Sequence, residues 1–282
     1  MNCAWDAFVQ LLPIRFRREV DKLGKEYLLE VRLRLGAPPD LVLKDRSISL
    51  KHIVTSEDLA HCIQFASQYS PWASGTLNQG YLTAPGGHRI GVFGKYAPHR
   101  DCGWVLQTPA MLCLRVARNV MDIAPDPSCT NGSVLIIGPP GVGKTTLLRD
   151  LIRKYANSGM GNISVIDERE ELFPRFQDRL CFETGQKTDV LSGCKKKIGI
   201  QWALRNMTPS VIAVDEITDP EDCQALLHAA WCGTTLFATA HAGNKNDLMT
   251  RPVYRPILEH NLFQSLLVMQ PDKTWRMERM NI

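Results

Sequence analysis

The chain has 282 residues, of which 44% are hydrophobic and 22% are charged, and its formal net charge is +4. A chain of this length and composition can bury a core and is expected to form two domains. The small net charge does not favour nucleic-acid binding, for which a strongly basic domain is typical, and no apolar run reaches the ~20 residues that span a bilayer.

The nine cysteines are scattered and include no C-x-x-C pair. This spacing argues against a disulfide framework and against a structural zinc site. The basic residues of the N-terminal segment follow its apolar stretch, which is the reverse of a secretory signal. We therefore expect a cytoplasmic protein that contacts a membrane only through partners.

The first part of the chain, residues 1–122, mixes helical and extended patterns and predicts a small α+β domain. Strict alternation over part of 28–35 indicates a half-buried strand with Glu30, Arg32 and Arg34 on one face. The predicted elements are helices over 4–12 and 16–23, strands over 28–35 and 112–116, a helix that begins with a capping box at 55–58, and a hairpin over 81–96 with its turn at 85–87.

The stretch 123–133, rich in Pro, Asp, Ser and Gly, is the best candidate for a linker between domains. After it, short apolar runs without alternation follow one another with helical stretches in between. This rhythm predicts an α/β domain over 134–282 with a mostly parallel sheet. The predicted strands cover 134–137, 163–166, 211–214 and 235–238, and the predicted helices cover 145–155, 195–206 and 221–232.

The segment GPPGVGKT lies between the first of these strands and the helix after it, and it matches G-x-x-x-x-G-K-[ST]. Its glycines allow backbone N–H groups to point at phosphate oxygens, and the helix N-terminus adds partial positive charge. Lys144 is expected to reach the β- and γ-phosphates, and the Thr145 hydroxyl to bind Mg²⁺. The predicted ATP-binding residues are Gly138, Pro139, Pro140, Gly141, Val142, Gly143, Lys144, Thr145 and Thr146.

A second constellation, SVIAVDEI, delivers Asp215 and Glu216 at the end of a strand, where ligands of parallel sheets bind. Asp215 is predicted to support Mg²⁺ together with Thr145, and Glu216 to polarise the attacking water. The alternative is a pair of helix-capping acids. Because Asp219 before Pro220 already supplies an N-cap, the catalytic interpretation is favoured.

Two further sets of polar residues follow strands of the same sheet. Carboxylates cluster over 167–171, where they would repel ATP unless a metal, Arg169 or Arg175 offsets them. A solvated acidic turn and a catalytic role are both open for them. His241 follows the last strand, and although a lone histidine is more often structural, its place after a phosphate loop and an acidic strand favours function.

The order of these motifs resembles the Walker A, Asp box, Walker B and His box of the type II/type IV secretion ATPases. More narrowly, the chain resembles the stage III sporulation protein AA family of endospore-forming bacteria over residues 11–270. The segments that carry this narrower resemblance are EVRLRLGAPP, GYLTAPGGHRIGVFGKY, KTDVLSGCKK, RNMTPSVIAVDEITDPEDCQAL and TAHAGNKNDL.

The resemblance implies a RecA-like ATPase domain that needs Mg²⁺ and converts ATP to ADP and phosphate. It also implies a ring-shaped homo-hexamer at the mother-cell face of the forespore membrane, where membrane-protein partners form a channel that the ATPase energises; no nucleic acid is expected. Carried over by motif, Asp167, Glu168 and Glu171 fall on the Asp box and His241 on the His box.

Two positions depart from the secretion-ATPase pattern. The Asp box reads Asp167-Glu168 where Glu-Asp is usual, and Lys187 stands where an arginine is common, so a two-point contact with phosphate is not available there. The resemblance implies that, in such rings, the first domain donates arginines to the nucleotide. Each candidate arginine of this chain could equally be a surface residue or an ion-paired residue. The candidates are Arg32, Arg34, Arg89 and Arg115.

Two other functions remain open from the sequence. A nucleic-acid-dependent ATPase or loader would use the short basic runs at 15–18 and 195–197, which are more often solvated faces. A nucleotide-binding scaffold with negligible turnover is compatible with the altered Asp box.

Overall fold

The computed structural model describes residues 3–68, 73–100 and 103–280, and the chain divides into two compact units. The first comprises Met1–Asn119 and Pro174–Cys181, and the second comprises Val120–Phe173 and Phe182–Ile282. The segment expected to be a linker, 123–133, lies in the second unit, and the excursion 174–181 lies in the first. No helix of the described residues is long and apolar enough to cross a membrane.

The first unit is built on a six-stranded antiparallel sheet with strand order β3-β2-β1-β6-β5-β4, numbered in chain order. Its strands are β1 Leu28–Arg34, β2 Asp40–Leu43, β3 Ser47–Ser49, β4 Tyr81–Ala84, β5 His88–His99 and β6 Gly103–Arg115. Its helices are α1 Trp5–Leu11, α2 Ile14–Asp21, α3 Ser56–Ser67 and α4 Ala73–Asn78. A short separate hairpin, β9 Arg175–Phe176 and β10 Arg179–Leu180, belongs to the same unit.

The alternation of β1 has the consequence that the sequence predicts. Val31 and Leu33 join the hydrophobic core of the first unit, whereas Arg32 on the other face is exposed. The predicted capping box is present, since Thr55 and Asp58 bond each other's backbone N–H groups at the start of α3. Strand β6 is longer than predicted because it pairs with β5 along nearly its whole length.

The second unit contains a seven-stranded sheet with strand order β11-β8-β12-β13-β7-β14-β15, in which every pair is parallel except β14 with β15. Its strands are β7 Val134–Gly138, β8 Ile163–Asp167, β11 Thr188–Ser192, β12 Val211–Ile217, β13 Thr235–His241, β14 Ser265–Met269 and β15 Trp275–Arg279. Its helices are α5 Lys144–Asn157, α6 Lys196–Asn206, α7 Pro220–Trp231, α8 Lys245–Thr250 and α9 Arg255–Glu259.

All five residues of β7, β8 and β14 are buried. Strands buried on both faces need no polar side, which explains why their sequences read as continuous apolar runs. The predicted class, an α/β domain with a mostly parallel sheet after a smaller α+β part, is therefore confirmed.

Candidate nucleotide-binding site

The predicted site residues gather at one edge of the second unit's sheet. Strands β7, β8, β12 and β13 are parallel neighbours in this sheet, so their carboxyl ends meet at the same edge. Gly138, Asp167 and His241 end three of these strands, and Asp215 lies near the end of the fourth.

The phosphate loop follows β7 and leads directly into the 14-residue helix α5. Gly143, the residue before this helix, has φ +105°, a left-handed backbone conformation that residues other than glycine rarely adopt. At Gly138 the requirement for glycine is steric, because a Cβ there would lie 2.8 Å from Met269 Cβ and 2.9 Å from Val142 Cγ2. The loop's backbone and the helix N-terminus together form a fitting cradle for phosphate groups.

Lys144 is 6% exposed, and its ammonium group has three acceptors in the loop and beyond it. Nζ donates to the carbonyls of Gly138 at 3.0 Å and Pro139 at 2.9 Å, and it lies 2.9 Å from His241 Nδ1. Burial lowers the pKa of Lys144, and the nearby charges of Glu216 and Asp215 oppose that shift. A phosphate oxygen would have to replace at least one of these acceptors.

His241 connects Lys144 to Glu216. Because an ammonium group only donates, His241 Nδ1 accepts from Lys144, and the imidazole proton resides on Nε2. That nitrogen lies 2.9 Å from Glu216 Oε1, so it donates to the carboxylate. The His-box histidine and the Walker B glutamate predicted from sequence are thus in direct contact.

The backbone at Glu216 is unusual for a residue with a side chain. Its φ is +38°, and its N–H donates to Thr239 Oγ1 at 2.8 Å and to Asp215 Oδ1 at 3.0 Å. A non-glycine residue in this region costs on the order of 1–2 kcal/mol and persists only where its surroundings enforce it. This strain concentrates at the residue predicted to polarise water, and nothing in the sequence signals it.

Asp215 holds the hydroxyl group that the sequence assigns to Mg²⁺. Thr145 Oγ1 donates to Asp215 Oδ2 at 2.9 Å, and Thr239 Oγ1 donates to Oδ1 at 2.7 Å. A hydroxyl and a carboxylate are oxygen donors of the kind that Mg²⁺ prefers. Among the residues that the structure describes, no group of three or more His, Cys, Asp or Glu could hold a metal ion. The Thr145 hydroxyl and the Asp215 carboxylate fit an ion whose other ligands come from nucleotide phosphates and water.

Asp167 contacts the backbone of the loop that follows it. Its carboxylate accepts from the N–H groups of Glu171 at 2.9 Å and Phe173 at 2.8 Å. Burial raises the pKa of Asp167 to about 6, although these hydrogen bonds favour its charged form. The geometry favours a positioning role for Asp167 over a direct catalytic one.

Beside the phosphate loop a cleft collects most of the predicted acidic residues. Its lining consists of Asp167, Glu168, Arg169, Glu171, Lys196, Asp215 and Glu216. Arg169 thus lies where the sequence expects a compensating charge, whereas Arg175 lies in the hairpin of the first unit.

Two basic residues of this region escape prediction from the sequence. Lys196 belongs to a run read as a solvated face, yet its Nζ lies 2.8 Å from Glu168 Oε2. Helical periodicity carries the missed signal, because the buried residues Ile200 and Ala203 follow Lys196 by four and seven positions.

The other is Arg149, which is buried within α5. It donates to the carbonyls of Leu172 and Glu171, and its guanidinium carbon lies 4.4 Å from the centre of the Phe182 ring. Burial lowers the pKa of Arg149 to about 10, which leaves the side chain charged at neutral pH. Arg149 therefore fastens the loop after β8 to the helix that begins at the phosphate loop.

The candidate arginines of the first unit lie on the sheet face opposite its core. Arg32 and Arg115 both contact the carboxylate of Glu30, Arg115 at 3.4 Å. Arg34 Nη1 lies 3.8 Å from Asp40 Oδ2. Arg89 stacks over the ring of Tyr81, with 4.3 Å between its guanidinium carbon and the ring centre.

A mostly parallel sheet with a phosphate loop at its carboxyl edge, in a chain whose first unit is antiparallel, has the architecture of a RecA-like P-loop domain preceded by a smaller domain. The fold is similar to that of the ATPase DotB of Legionella pneumophila, with a TM-score of 0.58 and 18% identity over 95% of this chain and 80% of that chain. It is also similar to the pilus retraction motor PilT with bound ADP, with a TM-score of 0.60 and 17% identity over 90% of this chain and 76% of that one.

Similarity in sequence identifies a narrower family than similarity in fold does. The family model for sporulation stage III, protein AA matches residues 5–277. The chain is 33% identical to stage III sporulation protein AA of Bacillus subtilis (strain 168) over 272 residues, which cover 92% of this chain and 88% of that protein. This chain belongs to the sporulation stage III protein AA family, as its motifs predict.

Most of this chain is also similar in sequence to part of a plant protein. The chain is 26% identical to the protein SEEDLING PLASTID DEVELOPMENT 1 of Arabidopsis thaliana over 267 residues, which cover 88% of this chain but 35% of that protein.

Proposed function

We propose that this chain is a magnesium-dependent ATPase that works as a secretion-type motor. The observation that carries the proposal is the unbroken set of contacts from Lys144 through His241 to Glu216, beside the Thr145–Asp215 pair. It joins the end of the phosphate loop to Glu216, the carboxylate that we assign to polarising the attacking water.

In the proposed reaction the loop amides and the N-terminus of α5 bind the phosphates of ATP, and Lys144 turns from its carbonyl acceptors to phosphate oxygens. Thr145, held by Asp215, would bind Mg²⁺, which when bound offsets phosphate charge. A water molecule attacks the γ-phosphorus as the bond to the bridging β-phosphate oxygen breaks. Glu216 accepts the proton of that water, and His241 holds the Glu216 carboxylate in place.

The motor part of the proposal extends to the whole molecule. It includes assembly into a homo-hexamer in the cytoplasm, and work on membrane proteins of a channel between mother cell and forespore. The proposed domains of the chain are an N-terminal domain over 1–122, a linker over 123–133 and an ATPase domain over 134–282. The hairpin 174–181, within the last of these ranges, belongs to the first unit. The family, and the description of PilT as a pilus retraction motor, support it.

A nucleic-acid-dependent ATPase is less well supported, because residues of both basic runs have partners within the fold. Arg15 pairs with Asp58, and Arg17 Nε donates to the carbonyl of Leu12 at 2.7 Å. Lys196 is ion-paired with Glu168. We expect the rate of ATP hydrolysis to be the same with and without single-stranded DNA.

The test of the proposal is phosphate release from ATP by the wild-type chain and two variants. Lys144→Ala should lose binding of a fluorescent ADP analogue and hydrolysis together. Glu216→Gln should retain that binding and lose hydrolysis by about 100-fold or more, since general-base catalysis contributes on the order of 10²–10⁴. A Glu216→Gln protein that hydrolyses ATP at the wild-type rate would contradict the assignment of Glu216.

A further inference from the structure

Three consecutive lysines begin helix α6, and only the middle one is buried. Lys196 has a side chain that is 9% exposed, whereas Lys195 and Lys197 are exposed. Removing an ammonium group from water costs several kcal/mol unless carboxylates compensate it. The partners of Lys196 therefore indicate what the burial serves.

Lys196 has two carboxylate partners, one in a loop and one in a helix at the site. Its Nζ lies 2.8 Å from Glu168 Oε2, in the loop after β8, and 3.5 Å from Asp222 Oδ2, in the first turn of α7. Asp222 also accepts from the N–H of Thr218, the residue that follows β12. One ammonium group thus ties the Asp-box loop to the loop that follows Glu216.

The charge of Lys196 matters for the cleft as well as for its shape. Five carboxylates line this cleft, and Lys196 and Arg169 are the basic residues that line it. Without Lys196, Glu168 would add its charge to those of Asp215 and Glu216 close to where a triphosphate binds. Electrostatic interactions between nearby charges are strong in a partly buried site. Loss of the positive charge of Lys196 can therefore weaken the binding of an additional, negatively charged phosphate in the cleft.

We propose that Lys196 is a positioning residue of the ATPase site, which holds Glu168 and Asp222 together and offsets the charge of Glu168. The proposal rests on the proposed function for its effect on hydrolysis, but not for its effect on nucleotide binding. Lys196 acts through Glu168 and the loop after Glu216.

Two effects of Lys196→Met are expected. The kcat for ATP hydrolysis should fall at least tenfold, because misplacement of reacting groups by about 1 Å can cost on the order of 100-fold. The Kd of a non-hydrolysable ATP analogue should rise at least fivefold while the Kd of ADP changes less than twofold, because the third phosphate adds charge beside the uncompensated carboxylates.

Lys197→Met is the matched control, since it removes the same charge from the next residue of the same helix. Lys197 is half-exposed and lies 3.6 Å from the exposed Glu221, so both kcat and the ratio of the two Kd values should stay within twofold of wild type. Lys196→Arg should recover part of both losses, because it retains the charge.

The double variant Lys196→Met/Glu168→Gln separates positioning from stability. Removing both groups of the closer ion pair should recover part of the melting temperature lost in Lys196→Met, because Glu168 no longer carries a charge without its partner, while Asp222 still lacks Lys196. It should not restore kcat. A recovery of kcat along with the melting temperature would reduce Lys196 to a structural ion pair and overturn the proposal.

The outcome for Lys196 is distinguishable from the outcome for the proposed function. A wild-type chain that binds both nucleotides and hydrolyses no ATP contradicts the proposed ATPase function. The ratio of the two Kd values in Lys196→Met still tests the proposed role of Lys196. An unchanged ratio in Lys196→Met, or a kcat within twofold of an active wild type, overturns the positioning role.

Discussion

Two histidines, one in each unit, have partners on both ring nitrogens and serve different ends. His241 is about one-third exposed and lies between Lys144 and Glu216, two groups that the proposed reaction uses. His88 is fully buried in the first unit, where it accepts from the N–H of Ala117 at 3.0 Å and donates to the carbonyl of Ala4 at 2.9 Å. The sequence distinguishes the two only through the motif around His241.

His88 gives the first prediction, which concerns stability against pH. Burial lowers the pKa of His88 to about 4 from the usual 6.5, so between these values the unfolded chain binds the proton and the folded chain does not. The contribution is present above pH 6.5 and is lost as pH falls toward 4. We expect the free energy of unfolding to drop by about 2–3 kcal/mol from this residue between pH 7 and pH 4.5.

Denaturant unfolding of the wild type and of His88→Gln at both pH values measures this contribution. The variant lacks the titrating ring, so its unfolding free energy should depend less steeply on pH. Equal slopes for the two proteins would show that His88 is not buried in its neutral form.

At the scale of elements, helix α5 links the phosphate loop to the segment that enters the second unit. Asp150 Oδ2 accepts from the N–H groups of Ile123 and Ala124, both at 2.8 Å, and Lys154 Nζ donates to the carbonyl of Ala124 at 2.6 Å. Trp275 Nε1 of β15 donates to the carbonyl of Ile123. The start of the expected linker is therefore fixed on the second unit, because each of its polar backbone groups has a partner there.

The second prediction follows from this attachment. Asp150→Ala should lower the free energy of unfolding by about 2–3 kcal/mol, because it removes the acceptor of one buried and one partly buried N–H group and a partner of Arg153. Asp122→Ala is the control, since Asp122 pairs with the same arginine but its side chain is 77% exposed. Equal losses in the two variants, measured by denaturant unfolding, would contradict the role given to Asp150.

The elements that the sequence predicts are those with a strong local pattern. Buried parallel strands read as apolar runs, and β14, which is not among the predicted strands, has the same pattern. The edge strands β11 and β15 are partly exposed and mix polar with apolar residues, so their sequences carry little strand signal. Their place is decided by pairing with β8 and β14, which is information from distant parts of the chain.

The site follows the same division. Motif residues such as Lys144 and Asp215 are predictable because a phosphate loop and an acidic strand end have fixed spacing. Lys196 and Arg149 are not, because a charged side chain is buried only where partners such as Glu168 and the Leu172 carbonyl approach it in the folded chain. The left-handed backbone of Glu216 has no local signal either.

At the scale of the whole molecule, the two units carry different sets of charged side chains. The first unit presents the side chains of Arg32, Arg34 and Arg115, each more than 40% exposed, on one sheet face. The second unit collects carboxylates in the cleft beside its phosphate loop. Exposed arginines on one unit and a cleft lined mostly by carboxylates on the other support the proposed association of several copies around nucleotide.

The most direct test of the ring-motor account is the mass of the particle in solution with and without ATP. With ATP and Mg²⁺, the Glu216→Gln chain should form a particle of six times the mass of one chain, because it binds ATP without consuming it. Lys144→Ala should remain at the mass it has without nucleotide. A Glu216→Gln chain that binds ATP yet keeps the mass of a single chain at every concentration would contradict the account.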